Sequence, residues 1–268
     1  MIWLVLLIIP FIIFFYYYKM NWQPRIPSFF SRKELIRIGH RGAPLLAHEN
    51  TVSSFIKAVK TDIDGIELDV QFSSDKQLIV YHDWACEALI GPVKYIDKTP
   101  YSELKKIRFN NKKINKIPLF TEVLDILPKK YIKIIEIKSR YVFDVGIEKF
   151  ALDILKKYNF TDSTIISSFN PFVIRRVRKL NPTIQTAYLW TKNSPQFIIN
   201  SPLWAWWCRP DGFHADINFL DINLVQWIRK KKMCLLAYTI LTQEQLAKAH
   251  ELNLDGIFVD DPKLNYEV

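Results

Sequence analysis

The chain has 268 residues, 49% hydrophobic and 24% charged, with a formal net charge of +10 at pH 7, a size and apolar content that fit one large domain such as an α/β barrel. Three widely separated cysteines, Cys86, Cys208 and Cys234, form no Cys-x-x-Cys pair, which argues against a disulfide framework and against a thiolate metal site. The positive charge suits nucleic acid or an anionic membrane; no nucleic-acid-binding motif accompanies it, so a membrane is the expected partner.

Ile2 to Tyr18 is an uncharged run with Trp3 near one end and Tyr16, Tyr17, Tyr18 and Trp22 at the other. At ~1.5 Å per helical residue it approaches the hydrocarbon thickness, and the aromatics suit the two interfaces. A cleaved signal peptide would want basic residues before the run and small residues after it; neither is present. Residues 1–20 are therefore expected to form one N-terminal transmembrane anchor. Lys19, Arg25, Arg32, Lys33 and Arg37 follow it against a single Glu34, which places the remainder of the chain on the cytoplasmic side. Residues 21–35, with Pro24 and Pro27, read as a basic linker to a domain over 36–268.

Beyond the linker, short β-branched runs alternate with amphipathic stretches. Barrel strands are expected over 35–39, 65–71, 131–137, 164–169, 184–190, 212–214, 234–239 and 256–260. Helices are expected near 51–60, 119–127, 142–158, 170–180, 195–207, 223–232 and 243–253. Eight strands separated by helices predict a parallel (β/α)8 TIM barrel. A ninth strand over 77–81 is expected to form a hairpin with the second, and residues 84–116 form an irregular insertion at the active face, a usual place for substrate-binding elements.

The chemistry is concentrated at expected strand ends. Glu67 and Asp69 are two apart on one strand and so share a face, and Glu136 and Lys138 repeat that spacing on the next. Three carboxylates crowded in a concavity repel one another, and a divalent cation resolves the repulsion. With oxygen ligands alone, Mg²⁺ or Ca²⁺ is favoured over Zn²⁺. His40 and His82 end two strands and are followed by Arg41 and Asp83. Two imidazoles supply a base and an acid for phosphodiester cleavage, while Arg41 and Lys138 suit phosphate oxygens.

The ordered set His40-Arg41-Gly42, Glu49-Asn50-Thr51, Glu67-Leu68-Asp69-Val70, His82-Asp83, Ile117-Pro118-Leu119, Glu136-Ile137-Lys138, Ser168-Phe169, Asp255-Gly256-Ile257 and Asp261-Pro262 resembles the glycerophosphodiester phosphodiesterase family over residues 36–263. The resemblance implies a TIM barrel, His40 and His82 as the acid/base pair, Glu67, Asp69 and Glu136 as metal ligands, and Arg41 and Lys138 as phosphate contacts. It implies hydrolysis of a glycerophosphodiester to glycerol 3-phosphate and an alcohol. Tyr238-Thr239-Ile240-Leu241 stands where the family has Trp-Thr-Val-Asn, so Tyr238 is expected as a wall against the substrate. His48 replaces the family's proline and reads as a turn residue. The loop Trp84-Ala85-Cys86-Glu87-Ala88-Leu89 is more apolar than the family's, which keeps a lysophospholipase D acting on lysoglycerophospholipids as the alternative.

Two rivals are weaker. A non-catalytic lipid-binding barrel has no need for the intact acid/base and carboxylate set. A sugar-phosphate isomerase wants a glycine-rich late loop, and the chain has seven glycines in all. Arg175, Arg176, Arg178 and Lys179, like Arg229 to Lys232, fall at helix C-termini, where they complement the helix dipole. Leu203 to Trp207 suits either an interfacial anchor or the packing of a barrel helix.

Overall fold

The computed structural model describes residues 8–13, 22–31, 34–86, 93–109, 116–193 and 201–263. Eight parallel strands close a barrel in the order β1 (Ile36–Gly39), β2 (Gly65–Phe72), β6 (Ile132–Ile137), β7 (Thr164–Ser168), β8 (Gln185–Trp190), β9 (Gly212–Asp216), β10 (Cys234–Ile240) and β11 (Gly256–Val259). Closure is made by β1, which pairs with β11 on one side and β2 on the other. The expected hairpin is present: β3 (Leu78–Val80) runs antiparallel to the end of β2.

Alternate residues divide each barrel strand between two environments. Ile38, Ile134, Ile165, Leu236 and Phe258 pack together inside the barrel. Their neighbours Leu68, Ile135 and Ile166 on one side, and Phe213, Leu235 and Ile257 on the other, pack outward under the helices. Strands covered on both faces read as near-continuous apolar runs, which is why the sequence marks them clearly. Gly65 opens β2 because a side chain there would meet the Ile132 carbonyl oxygen at 2.5 Å.

The helices are α1 (Val52–Ala58), α2 (Tyr101–Leu104), α3 (Phe120–Leu124), α4 (Ile147–Lys157), α5 (Pro171–Leu180), α6 (Trp204–Cys208), α7 (Ile222–Lys230) and α8 (Gln243–Glu251). Side chains expected to favour turns cap several: Thr51 accepts from Ser54 N on α1, and Asn170 accepts from Phe172 N on α5. Several run shorter than expected. The expected helix over 195–207 is described only from 201 onward, where α6 spans five residues. The insertion holds a hairpin of β4 (Ala85–Cys86) and β5 (Lys94–Tyr95), then α2, around a core of its own that includes Ile79, Ile96 and Leu104.

The described residues of the expected linker are docked. Trp22 packs against the cluster beneath α7, and Phe29 and Phe30 close the floor of the barrel interior. Arg25 grips Asp211 through Nε at 3.0 Å and Nη2 at 2.7 Å, and it also donates to the carbonyls of Pro182 and Ile184. Of the expected anchor, residues 8–13 are helical and exposed, and the others lie outside the described residues. Among the described residues no helix is long and apolar enough to cross a membrane. Two of the arginines placed at a helix C-terminus carry ion pairs with buried carboxylates: Arg176 with Glu148, and Arg178 with Asp211.

Candidate active site

The C-terminal ends of the strands converge on a cleft of about 350 Å³ lined by His40, Arg41, Glu67, His82, Glu136, Phe169, Tyr238 and Phe258, among others. Register explains the convergence. Asp69 lies opposite Glu136 across the β2–β6 pair, and Glu67 precedes Asp69 by one strand period. The three carboxylates are buried, and their oxygens come within 4.8 Å of one another.

The loop from β1 to α1 wraps this cluster. Arg41 has φ +52° and Gly42 φ +92°; at Gly42 a side chain would meet Ser54 Oγ at 2.5 Å. The turn brings Arg41 N to donate to Glu67 Oε2 at 2.8 Å, while the guanidinium donates to Glu49 Oε1 at 2.8 Å. Asn50 Nδ2 donates to Asp69 Oδ2 at 2.8 Å. Lys138 Nζ donates to Glu136 Oε1 at 3.0 Å and lies 3.6 Å from Asp69 Oδ1. Its side chain is 8% exposed, so it is aimed at the carboxylates.

Charge is unbalanced in a way that fits a cation. Burial, together with Asp69 and Glu136, raises the Glu67 pKa well above the ordinary value, and burial with Asp69 pushes Glu136 up to about 7. Burial also opposes the ionised form of Asp69, but Lys138, His82, Arg41 and the Asn50 hydrogen bond outweigh it and hold its pKa low. Asp69 Oδ1 is nevertheless buried without a hydrogen bond. Such an orphaned acceptor beside two carboxylates that resist ionisation suits a hard divalent cation with oxygen ligands.

Both histidines are pinned through Nδ1, which leaves Nε2 for a substrate. His40 Nδ1 lies 2.7 Å from Asp260 Oδ1, and His82 Nδ1 lies 2.7 Å from Asp83 Oδ1. Burial lowers the His82 pKa, against the pull of Asp69. Tyr238 donates through its hydroxyl to Trp190 O at 2.9 Å and stands edge-on to Phe169 and Phe258, with ring centroids 6.2 Å apart in each pair. His48 lies away from the carboxylates and stacks on Phe109 of the insertion at 4.1 Å. A second hollow of about 270 Å³, lined by Trp84, Lys138, Ser139, Asn170 and Thr191, adjoins the first through Glu136 and Phe169.

Every residue expected at the site is brought together by the barrel. Glu49 and Asn50, which hold Arg41 and Asp69, stand in a motif that the sequence marks without a role, and Asp260, which orients His40, is not marked by it. The signal for Asp260 is its parity, two residues beyond the inward-facing Phe258.

A barrel with this acid-and-imidazole constellation at its strand ends has the architecture of a hydrolase. The sequence model of the Glycerophosphoryl diester phosphodiesterase family matches residues 40–264. A glycerophosphodiester phosphodiesterase of Caldanaerobacter subterraneus subsp. tengcongensis is 32% identical over 234 residues, covering 84% of this chain and 94% of the relative. The crystal structure of the glycerophosphodiester phosphodiesterase from Thermotoga maritima superposes with a TM-score of 0.70 at 28% identity, covering 86% of this chain and 96% of that one. A phosphodiesterase of Oleispira antarctica, solved with the product sn-glycerol-3-phosphate, has the same fold, with a TM-score of 0.72 at 24% identity over 85% of this chain and 93% of that one. The chain belongs to the glycerophosphodiester phosphodiesterase family and is an enzyme of that class, a phosphoric diester hydrolase.

Proposed function

We propose that the chain hydrolyses glycerophosphodiesters to glycerol 3-phosphate and a free alcohol, the product that the Oleispira relative holds, with the help of one divalent cation, Mg²⁺ or Ca²⁺. Glu67, Asp69 and Glu136 would hold that cation, and the observation that carries the reading is their approach within 4.8 Å beneath two pinned imidazoles. A bound cation supplies positive charge to a phosphate oxygen as negative charge develops there. Arg41 keeps Glu67 and Asp69 in place and adds fixed positive charge; Lys138 does the same for Glu136. One of His40 and His82 takes a proton from the attacking hydroxyl and the other gives a proton to the departing alcohol; attack by water gives glycerol 3-phosphate at once, whereas attack by the substrate's own hydroxyl gives a cyclic phosphate that water then opens, with the two imidazoles exchanging roles. Tyr238, Phe169 and Phe258 wall the cleft against water on the substrate's flank.

The test is release of choline or inositol from glycerophosphocholine and glycerophosphoinositol, with Mg²⁺, with Ca²⁺ and with excess chelator. Activity is expected with a cation and lost with the chelator, and Glu67→Ala, Asp69→Ala and Glu136→Ala should each remove most of it. Full turnover in chelator would show that the carboxylates are not a metal site.

Lysophospholipase D activity is the second reading, and Leu241 favours it: this side chain lines the cleft and is 58% exposed. Lysophosphatidylcholine belongs in the same panel. For placement, we infer a single-pass anchor over residues 1–18 with the barrel in the cytosol, supported by the uncharged run and the cations that follow it. Protease added outside intact cells should leave the barrel uncut.

A further inference from the structure

We propose that the barrel face opposite the catalytic cleft docks on an anionic bilayer, so that the cleft opens toward water. The proposal rests on the anchor reading above and adds to it a definite orientation. The first observation is where the chain arrives. Arg25 holds Asp211, just before β9, and the carbonyls of Pro182 and Ile184, just before β8. All three lie at the strand ends remote from His40, Glu136 and Tyr238. Trp22 is packed against the same half of the molecule. Three residues lie between Tyr18 and Trp22, four chain steps that reach at most ~14 Å. The remote face is thus held close to the membrane boundary, and a seven-residue strand such as β10 sets the cleft on the order of 20 Å further away.

The second observation is charge. Helices antiparallel to the strands end at the remote face, and exposed lysines cluster there: Lys129 and Lys130 before β6, Lys156 and Lys157 at the end of α4, Lys179 in α5 and Lys230 in α7. The arginines of that face are largely engaged, Arg25 and Arg178 with Asp211 and Arg229 with Asp255. Lys60 and Lys232 lie there too, and these eight lysines outnumber the six carboxylates that those arginines do not hold among the described residues of the face, Glu34, Asp62, Asp64, Asp125, Asp162 and Glu251. Exposed Ile26 and Leu180 add apolar contact at the same end. Basic residues beside an anchor attract anionic headgroups. A substrate must then reach the cleft from the aqueous side, which favours a soluble glycerophosphodiester over a lysophospholipid still seated in the bilayer.

The experiment uses the full chain reconstituted in phosphatidylcholine–phosphatidylglycerol vesicles. The three native cysteines are buried, so single fluorescent labels can be placed at Lys130→Cys and Lys157→Cys on the remote face, and at Lys192→Cys and Glu244→Cys beside the cleft. Quenching by a headgroup-nitroxide lipid is expected to be several-fold stronger at 130 and 157 than at 192 and 244. The combined variant Lys129→Glu/Lys156→Glu/Lys179→Glu, introduced into each labelled protein, should shrink that contrast, with turnover of glycerophosphocholine unchanged. Equal quenching on both faces, or stronger quenching beside the cleft, overturns the docking while leaving the anchor intact. Release of the protein by alkaline carbonate overturns the anchor and the docking together. Turnover of glycerophosphocholine reports separately on the catalytic reading.

Discussion

Asp260 shows how a residue that touches no substrate can govern one that does. Its carboxylate fixes His40 Nδ1 at 2.7 Å, setting both the tautomer and the ring plane that Nε2 presents to the cleft. Asp260→Asn can keep the contact but favours the wrong tautomer, and Asp260→Ala removes it. Both should lower kcat by roughly 10- to 100-fold with KM little changed, a smaller loss than the ~10²-fold or more expected for His40→Ala and His82→Ala. A steady-state pH profile checks the assignment, since a purely structural role for Asp260 would leave the profile's shape unmoved. His48→Ala, by contrast, should change kcat little, because its ring is stacked on Phe109 and makes no contact with the carboxylate cluster.

At the scale of elements, the β1–α1 loop carries the tightest constraint. Arg41 reaches Glu67 through its backbone only because Gly42 turns with positive φ against Ser54. Gly42→Ala is expected to cost about 1–3 kcal/mol of stability, read as a shift in the urea midpoint, and to weaken phosphodiester hydrolysis as the Arg41–Glu67 contact loosens. The strands can be read from the sequence because burial on both faces makes each a continuous apolar run. The carboxylate cluster can be read because alternate positions on a strand share a face. What resists reading is held by distant contacts. The grip of Arg25 on Asp211 joins residues 186 apart, and no local pattern distinguishes such an arginine from a solvated one. Likewise α2 is four residues long and lies inside an insertion packed around its own small core.

The whole molecule carries one buried histidine that the proposed chemistry does not use. His214 lies inside the barrel against Phe258, with ring centroids 5.2 Å apart, and its Nδ1 is buried without a partner. Burial lowers its pKa from the ordinary 6.5 to about 3. Between those two values the unfolded chain binds the proton and the folded chain does not, so stability falls as pH falls. The slope is ~1.4 kcal/mol per pH unit and the total about 4–5 kcal/mol, fully lost below the folded value. Denaturant midpoints measured from pH 7 down to pH 4 should therefore decline more steeply for the wild type than for His214→Leu. Parallel curves would show that the imidazole is not held neutral in the barrel.

The docked segment also has a history. Phe29 and Phe30 close a floor made in part by Leu236 and Phe258, and Arg25 needs a carboxylate that follows it by 186 residues. The barrel itself waits for β11 before β1 gains its second neighbour. During synthesis, the part of the domain that leaves the ribosome first is thus among the last to find its place, after the longest loop in the molecule has closed. Until then the growing strands expose an open edge, and the segment ahead of them has nothing to grip.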